Sequence, residues 1–221
     1  MSVLAKLPPP SPVTPKSLGM AKTYRPRIEL YQDGPSHSRF DCAKAKSIIE
    51  AESSYEAQLD RAASLVGARD RASTIVFNFW KENRDAWLKV LGSHWEHCND
   101  IGHVKAEIRK VLLGSDRTQL DLMMTGEERA AFEKLPATLT VYRGCYPHNR
   151  SGLSWTLSRA VAAKFPSLLG YYRGPDALLL TARVSRKYCV LKLGRSEDEI
   201  IAPRVRLVQV EALRAELGRV E

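Results

Sequence analysis

Thr138-Leu139-Thr140-Val141-Tyr142-Arg143-Gly144 is the stretch that decides the architecture of this chain. Leu139 and Val141 alternate with Thr138, Thr140 and Tyr142, and the residues are β-branched or aromatic, which is the signature of a strand with one buried face. Pro136 stands just upstream and stops whatever helix precedes it. Downstream the same texture returns in short runs at Leu153–Thr156, Ala177–Val184, Tyr188–Leu193, Glu199–Ala202 and Val205–Val210. One helix interrupts them, with Ser158 as cap and Val161, Ala162 and Phe165 on its apolar side over Arg159–Phe165. A last short helix is expected over Ala212–Leu217.

Upstream the texture is helical. Ile48, Ile49, Tyr55, Leu59, Ala62, Ala63 and Val66 recur at three- and four-residue steps, and Gly67 ends the run. A second run carries Ile75, Val76, Phe79, Trp80, Trp87, Leu88 and Leu91 up to Gly92. A third spans Ile101 to Leu113, with Gly114 expected as a left-handed cap. Three main helices are therefore expected over 41–114. Thr125 and Glu128 then form a capping box that opens a short helix through Glu133. Helices gathered before the strands, rather than alternating with them, point to an α+β fold.

Seven of the twelve prolines lie in the first 35 residues, and residues 1–40 carry six basic residues against two acids. A chain so rich in fixed φ angles and missing amide donors does not build helix or interior strand, so 1–40 reads as a flexible basic arm. The domain plan is thus arm 1–40, helical region 41–114 and a strand-rich domain 115–221. The whole chain of 221 residues has net charge +9, with 44% hydrophobic and 27% charged residues. That composition is globular, not disordered or fibrous. No apolar run reaches the length of about 20 residues that spans a bilayer, so no membrane partner is expected. The N-terminus has no signal-peptide pattern, and four unpaired-looking cysteines suit a reducing cytoplasm. The basic balance suggests a phosphate-bearing, nucleic-acid or acidic partner for the arm.

Glycine-rich phosphate loops and Gly-x-Ser-x-Gly elbows are absent from the sequence. His94, His97 and Cys98 have ligand-like spacing but no second cluster, so packing rather than metal binding is expected, and no metal is assigned. Phe77, Phe79, Trp80 and Trp87 read as core. Three polar groups stand out in the strand-rich half. Arg143 closes a strand with a planar fork of donors that matches phosphate oxygens, and Gly144 leaves the backbone open to approach. Ser154 and Thr156 share one face of a strand, with Trp155 on the other. Glu197 and Glu199 share the next such phase, about 6–7 Å apart.

The order Arg143, then Ser154-Trp155-Thr156, then Glu197-Asp198-Glu199 resembles the arginine–serine–glutamate class of mono-ADP-ribosyltransferases. The likeness covers roughly residues 136–211. It departs in the middle motif, where that family usually has Ser-Thr-Ser and this chain has Trp155 between two hydroxyls. The resemblance implies a compact split β-sheet domain that takes NAD as substrate and transfers ADP-ribose to a protein acceptor, with arginine implied by the Glu-x-Glu pair. It implies that Glu199 steadies the ribose cation, that Glu197 orients the acceptor, and that Arg143 holds the diphosphate or ribose. Gly144, Ser154 and Thr156 would line the cleft, and Tyr171 and Tyr172 would stack on nicotinamide. An NAD glycohydrolase using the same site, and a non-catalytic nucleic-acid-binding or adaptor protein on a degenerate transferase fold, are the alternative readings.

Overall fold

The computed structural model describes residues 28–30, 42–79, 81–99, 101–168, 171–194 and 198–213. Most of the arm, Trp80, Glu197 and residues 214–217 lie outside the described residues. Five helices build the first half: α1 (Cys42–Glu50), α2 (Tyr55–Leu65), α3 (Ala68–Phe77), α4 (Arg84–His94) and α5 (Lys105–Leu113). The three expected runs become five because polar residues cut two of them. Ser54 caps α2, its hydroxyl accepting from the Ala57 amide at 3.2 Å. Asn78 closes α3 by donating to the Thr74 carbonyl at 2.7 Å. The same amide pairs with both backbone groups of Glu29, at 2.6 and 2.8 Å, and Ile28 beside it is buried. Residues 28–30 of the expected arm are therefore docked against the helices.

Two glycines act differently from their sequence reading. Gly92 lies inside α4, where a Cβ would meet the Met123 backbone at 2.3 Å, so it permits close packing and ends nothing. Gly114 does cap α5, but at φ −88°, not in the left-handed region. Trp87 is fully buried and donates to the Ile75 carbonyl at 2.6 Å, with Phe79 edge-on to it at 5.3 Å. Phe77, expected in the core, is 56% exposed, because it ends α3 on the solvent side.

Two short helices lead to the sheet. α6 (Arg117–Asp121), which the hydrophobic pattern did not signal, opens with a capping box between Asp116 and Gln119. α7 (Gly126–Glu133) opens with the expected box between Thr125 and Glu128. Six strands follow: β1 (Thr138–Cys145), β2 (Ser154–Thr156), β3 (Ala177–Ser185), β4 (Val190–Leu193), β5 (Asp198–Ile201) and β6 (Arg206–Leu213). α8 (Arg159–Lys164) lies between β2 and β3, and the Ser158 hydroxyl accepts from Val161 at its start. Ala212 and Leu213, expected to begin a helix, extend β6 along β3 instead, since their ladder partners Leu178 and Ala177 continue the pairing.

The result is one antiparallel sheet in the order β4-β5-β2-β1-β3-β6, in an α+β fold. β1 pairs with β3 along its whole length, but meets β2 at a single register pair, Tyr142 opposite Thr156. The sheet therefore consists of two three-stranded wings that touch at one point. One continuous core joins the helices to both wings, from Leu59, Ile75 and Trp87 to Val141, Leu180 and Ile200. No helix among the described residues is long and apolar enough to cross a membrane.

Arginine forks clamp the layers together through backbone carbonyls. Arg109 reaches from α5 to the carbonyls of Ser151 (2.6 Å) and Pro203 (3.1 Å). Arg117 reaches from α6 to those of Arg186 (3.0 Å) and Cys189 (2.7 Å). Part of the net positive charge is thus structural, each guanidinium donating to backbone carbonyls of another segment.

A buried ion pair fixes α7 to β4. The Lys192 ammonium lies 2.8 Å from Glu128 and donates to the Met123 carbonyl, and both side chains are 5% exposed. Glu128 also accepts from the amides of Thr125 (2.7 Å) and Leu193 (3.1 Å). Burial alone would raise its pKa, but Lys192 and the two amides outweigh it and hold the carboxyl below its ordinary 4.5. Removing only Lys192, as Lys192→Met, leaves a buried carboxylate unpaired and is expected to cost about 3–5 kcal/mol. The double variant Lys192→Met with Glu128→Leu should recover most of that loss in urea melts. With its pKa lowered on folding, Glu128 adds stability above about pH 4.5, and this contribution drains as the pH falls through the folded value. Glu128→Gln should therefore flatten the acid side of the stability–pH curve; an unaltered slope would exclude this origin.

Candidate functional site

The parting of the wings creates the site. β2 places Thr156 opposite both Tyr142 of β1 and Glu199 of β5, and Ser154 opposite Ile201. Directly opposed residues of antiparallel strands share a face, so the Ser154, Thr156 and Glu199 side chains stand on one side of the sheet. Trp155 takes the opposite phase and is buried there.

Arg143 bridges the gap between β1 and β2 beyond their single ladder pair. Its guanidinium donates to the Ser154 carbonyl at 2.6 Å and, more weakly, to that of Asn149 at 3.4 Å. Burial pushes its pKa down from the ordinary arginine value, while neighbouring Cys145 and Glu199 resist the shift. The guanidinium lies flat over Gly152, where a Cβ would fall 2.2 Å from its central carbon. Gly152 is a site residue that sequence reading missed, since its need for a bare backbone comes from a side chain nine residues away. Gly144 has a packing reason. A Cβ there would sit 1.9 Å from the Ala162 carbonyl, so the glycine lets α8 lie on β1.

Thr156 is 6% exposed, and its hydroxyl accepts from the Ser158 amide at 3.1 Å, shaping the turn into α8. Tyr142, Arg143, Gly144, Ser154, Thr156, Phe165 and Glu199 surround a small pocket of about 30 Å³. It adjoins a cleft of about 410 Å³ between the sheet and the α4–α5 connection. That volume lies within the range of small-ligand sites. Arg143, Ser154, Phe165 and Glu199 border both spaces. Tyr171 joins the larger one, its ring 4.5 Å from Phe165, whereas Tyr172 is 55% exposed and lines neither.

The helical region supplies the opposite wall through Trp95, Cys98, Asn99 and Lys105. Trp95 is buried, and its indole N–H donates to Glu199 Oε1 at 2.8 Å. No sequence signal points to this contact, which joins residues 104 positions apart. His94, read from the sequence as packing, pairs with Asp60 at 2.9 Å, and the Cys98 thiol bonds the His94 carbonyl. Burial pushes the Cys98 thiol up to about 11, which favours the protonated thiol at neutral pH. Among the described residues no group of three His, Cys, Asp or Glu side chains is arranged to hold a metal ion. The arrangement offers a fixed carboxylate, a hydroxyl, a buried cation and an aromatic pair around one cleft.

Comparison with protein-family models, with curated proteins and with solved structures finds no match for this chain.

The two glycines of the site give a direct test of this packing. Gly144→Ala forces α8 off β1 and should lower stability by about 1–3 kcal/mol. Gly152→Ala meets the Arg143 guanidinium first, so its cost should be clear in the parent and much smaller in an Arg143→Ala background. A double-mutant cycle in urea measures that coupling, and equal costs in both backgrounds would refute the contact.

Proposed function

We propose that this chain is an NAD-dependent mono-ADP-ribosyltransferase that modifies a protein acceptor, at arginine. The observation carrying the proposal is convergence: Arg143, Ser154 and Glu199, from three different strands and up to 56 residues apart, border one cleft. The parting of the sheet beside β2 leaves the kind of opening that a split-sheet transferase uses for a dinucleotide.

The chemistry follows from the groups in place. The bond between nicotinamide nitrogen and ribose C1′ breaks, and its electron pair leaves with neutral nicotinamide. Positive charge then builds on C1′ and the ring oxygen. Glu199, bonded to a ribose hydroxyl, stabilises that charge as a fixed carboxylate does for a glycosidase. A lone pair on the acceptor nitrogen forms the new bond to C1′, and the proton that nitrogen sheds passes to a carboxylate. This reading gives that role to Glu197, which lies outside the described residues. Arg143, through its two carbonyl bonds, holds the Ser154 edge of the cleft and sets a positive charge beside the dinucleotide's diphosphate. Phe165 and Tyr171, their rings tilted 53° to each other, offer aromatic faces on which nicotinamide stacks.

Incubation of the full chain with labelled NAD and a cell lysate should transfer label to protein, released by hydroxylamine if the acceptor is arginine. Free ADP-ribose in place of labelled protein would identify a glycohydrolase. Salt-dependent binding to DNA or RNA with no NAD turnover would favour the adaptor reading. Glu199→Gln should lower nicotinamide release by roughly 10²–10³-fold with the fold intact. Equal release by this variant would remove Glu199 from the mechanism.

A further inference from the structure

We infer that Trp95 is a positioning residue for Glu199, so that the helical region is a working part of the catalytic centre and not a separate recognition module. The inference rests on the transferase reading for its activity readouts and on geometry for the contact itself. Trp95 sits in the turn that follows α4 and is 5% exposed. Its indole N–H reaches Glu199 Oε1 at 2.8 Å, the distance of a charge-assisted bond.

An indole is a rigid donor with no competing acceptor, and this one is anchored by the helix behind it. α4 packs through buried Trp87, Leu88 and Leu91, and Arg71 holds the far side of the turn through the His97 carbonyl at 2.9 Å. The wall is also tied to the sheet side. Lys105 donates to the Ser151 hydroxyl at 3.0 Å, and Arg109 to the Ser151 carbonyl at 2.6 Å. One carboxylate oxygen of Glu199 is thus fixed from outside the sheet, which restricts how the carboxylate turns toward the cleft. A carboxylate that must meet a sugar cation in one orientation gains from such pre-organisation. Among the described residues, the other charges facing the same space are Arg143, Lys105 and Glu96, with Lys192 opposite Glu199 on β4 but engaged by Glu128.

Trp95→Phe keeps an aromatic ring and removes only the donor. Nicotinamide release should show kcat lowered about 10–100-fold, with the KM for NAD changed by less than about threefold. The acid limb of the kcat–pH profile should move to higher pH, because the ionised carboxylate has lost a donor. Tyr55→Phe serves as the structural control. It loses a hydroxyl bond to the Asn78 carbonyl, away from the cleft, and should lower the melting temperature without moving kcat or the acid limb. Unchanged kcat and acid limb in Trp95→Phe, with turnover abolished in Glu199→Gln, would overturn the inference and leave the transferase reading standing. If neither the parent nor Glu199→Gln releases nicotinamide, the transferase reading falls, and NMR of the indole N–H groups decides the contact. The signal missing from Trp95→Phe should titrate at acid pH in the parent and cease to do so in Glu199→Gln. A Trp95 signal indifferent to pH in the parent would disprove the contact.

Discussion

The molecule turns on the seam between β1 and β2. These strands share one ladder pair, Tyr142 with Thr156, and past it the sheet has no backbone bonds to hold its wings together. Arg143 replaces them with a side-chain bond to the Ser154 carbonyl. A buried guanidinium is costly unless its donors are satisfied, so the arrangement demands a bare backbone at Gly152 and a carbonyl aimed at the fork. The opening that results is lined by polar groups from three strands. Had β1 and β2 zipped fully, Ser154 and Glu199 would lie on an unbroken sheet face with no cleft beside them.

The same device recurs elsewhere. Arg109 and Arg117 hold helices to the sheet through carbonyls, and Arg71 holds the turn that carries Trp95. The basic composition, which taken alone suggests an anionic partner, therefore has a structural share. Net charge states how many cations there are, but not which are bound to the protein's own backbone. Lys192 makes the same point, being sealed against Glu128 inside the core.

Much of the fold was legible in the residues. The six strands overlap the short runs that read as strand-like, the Thr125–Glu128 box starts α7, and Ser158 starts α8. Each of these rests on neighbours a few positions apart. The misses have the opposite character. Gly92 read as a stop because a glycine's local meaning is freedom, whereas here it admits a backbone from a distant segment. Phe77 read as core because hydrophobicity says nothing of which side of a helix end meets solvent. Ala212 and Leu213 read as helical from propensity, and the β3 ladder overrode it.

The candidate site divides along the same line. Ser154 and Glu199 stood out from the sequence because strand phase puts particular hydroxyls and charges on one face, and Arg143 because its planar fork closes a strand beside a glycine, each a property of a few consecutive residues. That these three share a cleft, that Thr156 is turned to the α8 cap, and that Trp95 and Gly152 belong to the site were decided only in three dimensions. Periodicity sets the direction of a side chain relative to its own strand. What stands in that direction depends on how separate elements pack, and no local pattern records it.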